Sequence, residues 1–326
     1  MVFQKTKIGL LTGLLCLLGL LCSCGAKPLA EREIIRAVFF EEEGPRCTAV
    51  LLLQDPDAAE EKSSNPATRT ARGAGDTPAA ALRSAEQTLQ GSPYYGLMDL
   101  AALPKNSTWQ TVETIGELLY THAQPTPEIA VVLLGDTGAQ PLEKSAQELY
   151  KNWQAAEKTY ALHCGLERVF AQNAQAAIPR MGRQGYGVCL LGEGTRADLN
   201  HPLTAQLAAV LNGMSRRLAC SYGEGTAACR AQASASFAAA RVGQATGIQI
   251  KLRLRGTKLE DLSAAQRGEQ ALQTALEQEL QQAFLGLHTL TQVQNIDLFH
   301  LAFRLQPLTG SADTAAAVAL QVEIEK

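Results

Sequence analysis

Apolar side chains recur along this chain in two spacings, and each predicts a different element. Strict alternation occurs twice near the end. Ile248, Ile250, Leu252 and Leu254 alternate with Gln249, Lys251, Arg253 and Arg255, and Val318, Leu320, Val322 and Ile324 alternate with Ala319, Gln321, Glu323 and Glu325. A period of two sends successive side chains to opposite faces, so both segments predict half-buried strands. One outer face is basic and the other acidic, which makes the two strands candidates for neighbours in one sheet. Between them Leu272, Leu276, Leu280, Phe284 and Leu287 fall at helical spacing. They predict the inner side of a long helix from about 263 to 288. Asp297 can cap a short helix carrying Leu298, Leu301 and Leu305.

The same signals organise the earlier part. Residues 37–40 and 48–53 are apolar runs around Glu41-Glu42-Glu43-Gly44-Pro45 and read as two strands and a turn, the first beginning near Glu33. From 55 to 76 no large apolar side chain occurs, which predicts a long exposed loop. Thr77 and Pro78 open a helix that places Leu82, Ala85 and Leu89 on one face and stops by Gly91. Ser107 with Gln110 three residues on has the form of a capping box, ahead of a Val112, Ile115, Leu118 and Leu119 stripe. Residues 129–134 predict a buried strand, and Leu142, Ala146, Leu149, Tyr150 and Trp153 a helix. The stretch 171–183, mostly Ala, Gln, Asn, Pro and Gly, reads as a linker. Beyond it come a strand through Tyr186, Val188 and Leu190, a helix through Leu203, Leu207, Val210 and Leu211, and strands at 217–221 and 229–242 around a Gly223-Glu224-Gly225 tip.

Strands and helices interleaved in this way predict an α/β (α+β) protein of mixed, largely antiparallel sheets with packed helices, in two or three sub-domains. The divisions expected are a leader at 1–23, an N-terminal α/β domain at 24–172 with the exposed loop at 55–76, and a C-terminal α+β domain at 183–326. The last of these ends in a strand–long helix–strand unit at 246–326. A length of 326 residues agrees with about two domains at roughly 100–200 residues each.

The N-terminus has a separate logic. Lys5 and Lys7 precede an uncharged apolar run from 8 to 21. Fourteen residues are short for a helix spanning a bilayer, which takes about 20, but suit the apolar region of a secretory signal. The run ends in Leu21-Cys22-Ser23-Cys24-Gly25, an aliphatic residue three positions before a cysteine with small residues around it. That pattern resembles a bacterial lipobox, with Cys24 as the acylated first residue of the mature chain. Two acyl chains on one residue hold durably, since each buried methylene contributes about 0.8 kcal/mol. Removing the two lysines of the leader from a net charge of −3 leaves −5 on the body. A mildly acidic body has no electrostatic footprint for nucleic acid.

Chemistry is harder to find. Of eight cysteines, Cys16 and Cys22 belong to the leader and Cys24 to the anchor, leaving Cys47, Cys164, Cys189, Cys220 and Cys229. Cys220 and Cys229 flank the glycine tip, and two readings stay open for them: a cross-strand disulfide, or small buried thiols. Neither CxxC nor a histidine pair at metal-ligand spacing is present, so no metal and no cofactor is expected. GxSxG and GxxxxGK are also missing. The Glu41–Glu43 run reads as a solvated turn. Catalytic residues are therefore expected to be none, and the reading favours a scaffold or binding subunit over an enzyme.

The order of parts resembles the Ger(x)C family, the lipoprotein subunits of spore germinant receptors. Cys24 is followed by Arg32-Glu33-Ile34-Ile35, and the C-terminal third runs from the basic strand through the long helix to Ile296-Asp297-Leu298-Phe299, Arg304, Pro307 and the last strand. The chain departs from the family in having Gly25-Ala26-Lys27 after the anchor where a tryptophan is usual, and Tyr94-Tyr95-Gly96-Leu97 where the family carries an aromatic-Gly-His segment. The stretch between Pro307 and the last strand is also shortened. It resembles a diverged member. The resemblance implies a non-catalytic subunit on the outer face of the spore inner membrane, beside two multi-spanning subunits of the A and B type, in a complex that responds to nutrients. The alternative is the solute-binding lipoprotein of a nutrient transporter. Against it, the chain has few aromatic residues with which to wall a ligand cleft, 5% in all.

Overall fold

The computed structural model describes residues 31–54, 68–136, 140–171, 175–182, 185–242, 245–264, 266–300, 304 and 317–325. They form a mixed α/β protein built on two sheets. The first contains β1 (Arg32–Glu43), β2 (Arg46–Gln54), β3 (Thr68–Gly75), β4 (Ser92–Tyr94), β5 (Leu100–Leu103), β6 (Ala130–Leu134), β7 (Ala176–Gly182), β8 (Gly185–Gly192) and β9 (Thr195–Leu199), in the order β3-β2-β1-β5-β6-β7-β8-β9 with β4 beside β1. Pairing is antiparallel at both ends and parallel through the centre, from β1 to β7. The second contains β10 (Arg217–Tyr222), β11 (Ala227–Val242), β12 (Ala245–Asp261) and β13 (Val318–Ile324), in that order.

Burial explains why the central strands of the first sheet read as continuous apolar runs. On one face Val38, Phe40, Leu51 and Leu53 meet α1 (Pro78–Glu86) and α2 (Trp109–Leu118). On the other Phe39, Val50, Leu52 and Val132 meet Leu142, Leu149 and Trp153 of α3 (Leu142–Tyr160). A sheet covered on both sides has no polar face to alternate. After α2 the helix continues through a π turn, Leu119–Ala123, and a short α4 (Leu166–Phe170) precedes β7. The larger core then passes through α5 (Pro202–Leu211), buried at eight of its ten positions, into the second sheet. There Ile248, Ile250, Leu252 and Leu254 of β12 pack on Leu272, Leu276, Leu280, Phe284 and Leu287 of α6 (Glu269–Gln294).

Part of the expected 55–76 loop is a strand. β3 pairs with β2 residue for residue, from Gln54↔Thr68 to Cys47↔Gly75. Its lack of large apolar side chains, with glycine at 73 and 75, is a packing requirement, because α1 lies directly on it. A Cβ on Gly73 would stand 2.0 Å from the Ala85 nitrogen, and one on Gly75 2.6 Å from the Ala80 Cβ. Residues 55–67 of that expectation lie outside the described residues.

The expected linker at 171–183 contains β7, which pairs with β6 on one side and β8 on the other. Its alanines are buried rather than solvated, with Ala176 and Ala177 at 4% and 1% exposure, beside a fully buried Ile178. The chain changes sheet later, between Leu199 and Arg217.

Two helix starts also differ. The cap of α2 is Thr108, whose Oγ1 accepts from the Thr111 amide at 3.3 Å, while Ser107 is buried and donates its hydroxyl to the Pro104 carbonyl. The long helix begins at Glu269 rather than near 263 because Asp261 holds the preceding residues in another shape. Its carboxylate accepts from the Ser263 amide at 3.1 Å and hydroxyl at 2.7 Å, and from the Arg267 amide at 2.5 Å. By contrast Thr77 caps α1 as its sequence predicts, accepting from the Ala80 amide at 3.1 Å. Leu301 and Leu305 of the short helix expected after Asp297 lie outside the described residues, and Leu298 is buried.

Candidate functional site

Cys24 and the leader expected at 1–23 lie outside the described residues. The first strand starts eight residues on, at Arg32, where the guanidinium stacks 5.0 Å from the Tyr94 ring centre and the neighbouring Glu33 pairs with Arg69. Eight residues reach about 28 Å when fully extended, so an acyl group at Cys24 would keep β1 near the surface that holds it. Among the described residues, no helix is long and apolar enough to cross a membrane.

The basic and acidic outer faces meet as their alternation suggests. β12 and β13 run parallel in the register Ile248↔Val318 to Leu254↔Ile324. Glu323 pairs with Lys251 and, at 3.2 Å, with Arg253. Arg255 pairs with Glu325 at 3.1 Å, and Gln249 donates to Gln321 at 3.1 Å. These cations hold the Glu323 carboxyl below the usual carboxylate range, Lys251 first and Arg253 next. From the inner side Gln281 of α6 donates to the Leu320 carbonyl at 2.9 Å. The last strand is thus joined to β12 by ladder and charge, and to the long helix by packing.

Cys220 and Cys229 are direct partners across β10 and β11, both on the core side. Both thiols are free, and burial pushes each up to about 12. Such thiols carry almost no thiolate at neutral pH and are poor nucleophiles. The tip between the strands is tied to α6, where Glu279 accepts from the Gly223 amide at 2.6 Å.

In open α/β sheets ligands favour the carboxyl ends of parallel strands. Here that end is a hollow of about 370 Å³ lined by Glu41, Glu42, Lys105, Asn106 and Asp136. At the opposite end Asp99 accepts from Arg36 Nε at 3.0 Å and from the Tyr150 hydroxyl at 2.5 Å. Burial, with Asp99 adding to it, pushes Tyr150 up to about 12, so it stays a neutral donor. The donors and acceptor close on one another and tie β1 to α3. No group of three or more His, Cys, Asp or Glu able to hold a metal occurs among the described residues.

Sequence reasoning missed a cleft of about 1100 Å³ at the seam between the sheets, where Arg168, Arg216, Arg217 and Arg304 come together with His300 and Phe237. Arg255 lines it too, and these five arginines belong to four separate stretches of chain that no spacing rule links.

No family model matches the chain, and no curated protein matches it in sequence. Among solved structures it is similar to one described as the crystal structure of the GerBC protein, at 8% identity and a TM-score of 0.49, over 89% of this chain and 96% of that one.

Proposed function

We propose that this chain is a lipid-anchored, non-catalytic subunit of a nutrient germinant receptor, held by Cys24 on the outer face of the spore inner membrane beside two multi-spanning subunits. The observation that carries the reading is the terminal unit. A basic strand, a long helix, an Asp-led segment and an acidic strand follow one another in the order that resembles the Ger(x)C family, and the two strands pair through Lys251, Arg253 and Arg255 with Glu323 and Glu325. The lipobox at Cys24 and the short reach from it to Arg32 support the membrane-proximal placement. In this reading the body supplies a rigid surface for receptor assembly or signalling, and the integral subunits recognise the nutrient and pass ions.

Two measurements test it together. Cys24→Ala should move the protein from the membrane to the soluble fraction, and the lipidated chain should co-purify with two multi-spanning partners from spore membranes. An anchored Cys24→Ala protein would remove the lipid from the account. A large rise in melting temperature with one amino acid, sugar or nucleoside would favour a solute-binding lipoprotein instead, because stabilisation follows ligand concentration over Kd.

A further inference from the structure

The cleft at the seam is walled by the end of α4, the turn after α5, the start of β10 and the middle of β11. Of the five arginines that line it, Arg255 is paired with Glu325 at 3.1 Å, and Arg168, Arg216, Arg217 and Arg304 form no salt bridge among the described residues. Arg168 donates to the Gly213 carbonyl at 3.0 Å and to the Asn212 carbonyl, in a turn that Gly213 makes at φ +64°. Its Nε is buried with no hydrogen-bond partner among the described residues. Arg217 donates to the Lys158 carbonyl at 2.7 Å. Arg304 donates to the Phe299 carbonyl at 3.2 Å and lies 3.8 Å over the Phe237 ring centre. Arg216 is exposed at the rim. Carbonyls and a ring face orient guanidinium groups but leave their charge in place.

No Asp or Glu is among the described residues that line the cleft. The nearby carboxylates are Glu325, which is paired with Arg255, and Asp297, which acts on His300 and Arg304. Burial holds His300 below its usual range, and Arg304 and Arg168 push in the same direction against Asp297. A body with an overall negative charge has thus gathered at least four arginines around one concavity.

We propose that this cleft is a binding site for a multivalent phosphate-type anion, either free in solution or carried by a lipid headgroup. Guanidinium forks match the oxygens of phosphate in pairs, and a concave site with an excess of positive charge focuses its field on the ligand. The site stands on this chain's own residues and does not depend on the receptor reading. Only the lipid-borne source draws on the anchor.

The test uses the mature chain from residue 24 with Cys24→Ser, so that no acyl group attaches it to vesicles. Pyrophosphate is titrated calorimetrically at low ionic strength, and flotation is measured with phosphatidylglycerol–phosphatidylcholine vesicles against phosphatidylcholine alone. Arg216→Glu, at an exposed position, should weaken binding at least tenfold, while Arg46→Glu, on the exposed start of β2, should change it less than twofold. Pyrophosphate binding lost in Arg216→Glu supports a free anion as the source. Flotation on the anionic vesicles alone, competed by pyrophosphate and lost in the same variant, supports a headgroup. Failure to bind either probe, or binding that Arg216→Glu leaves unchanged, overturns the proposal. Arg168→Gln, which also loosens the turn at Gly213, is read only alongside a melting curve.

Discussion

The two sheets solve different problems. In the first, β1, β2, β5 and β6 are buried on both faces, and helices cover them from either side. In the second, α6 covers one face and the other stays polar, with neighbours chosen by charge as well as by backbone pairing. Enclosure makes the first sheet tolerant of any apolar residue that fits and intolerant of polarity. Half-exposure makes the second readable by alternation and leaves a surface on which ions can act. The charged cleft lies against this second sheet, at β10, β11 and β12, with the end of α4 and the turn after α5 as further walls.

The largest expected effect comes from breaking the covered face of the second sheet. Leu276 has no exposure, so Leu276→Glu buries an unpaired carboxylate and should cost upwards of about 4 kcal/mol in urea unfolding. Its counterpart in the first sheet, Phe40→Ala, should cost about 3–5 kcal/mol through the cavity it leaves. Because one core runs from α1 to α6, both should lower a single unfolding transition. If Leu276→Glu instead left a first-sheet transition at its original midpoint, the layers would be independent units.

Next in size is Gly73→Ala, which sets a methyl against the backbone of α1. Overpacking of this kind should cost about 1–3 kcal/mol, and the same substitution at Gly44, which has open space around it but φ +62°, should cost less. Equal losses at the two sites would show that α1 does not lie hard against β3.

The smallest effect is electrostatic. The Glu323 carboxyl is depressed below its usual 4.5 in the folded chain. Its contribution is therefore complete above that value and is lost as the pH falls through the folded-state pKa. Glu323→Gln should flatten that acid limb of the stability–pH profile while leaving neutral stability close to wild type, as exposed ion pairs contribute little. An unchanged acid limb would mean that pairing with Lys251 and Arg253 does not register in solution.

Legibility followed the same division. The terminal unit was open to reading because a half-buried strand must alternate, and the opposed charges of β12 and β13 named each other as neighbours. The apolar runs of β1, β2 and β6 and the stripes of α3 and α6 were visible for the same reason: large apolar side chains have few places to go. β3 and β7 were hidden because closely packed helices and crowded strands call for Gly and Ala, the residues that also mark loops. The start of α6 was obscured by Asp261, whose bonds to Ser263 and Arg267 compete with a helical turn. The cleft arginines, spread from 168 to 304, carried no local signal at all.

What the chain determined by itself was local. Periodicity decided which residues face inward, the Thr77-Pro78 pair decided where α1 begins, and the run ending in Cys24 supplied the pattern of a lipid anchor. Which strands become neighbours in the first sheet, how close α1 may lie to β3, and which distant arginines share a cleft were decided only in three dimensions. The physical reason is that burial and charge depend on what surrounds a residue, and those surroundings come from segments far apart along the chain.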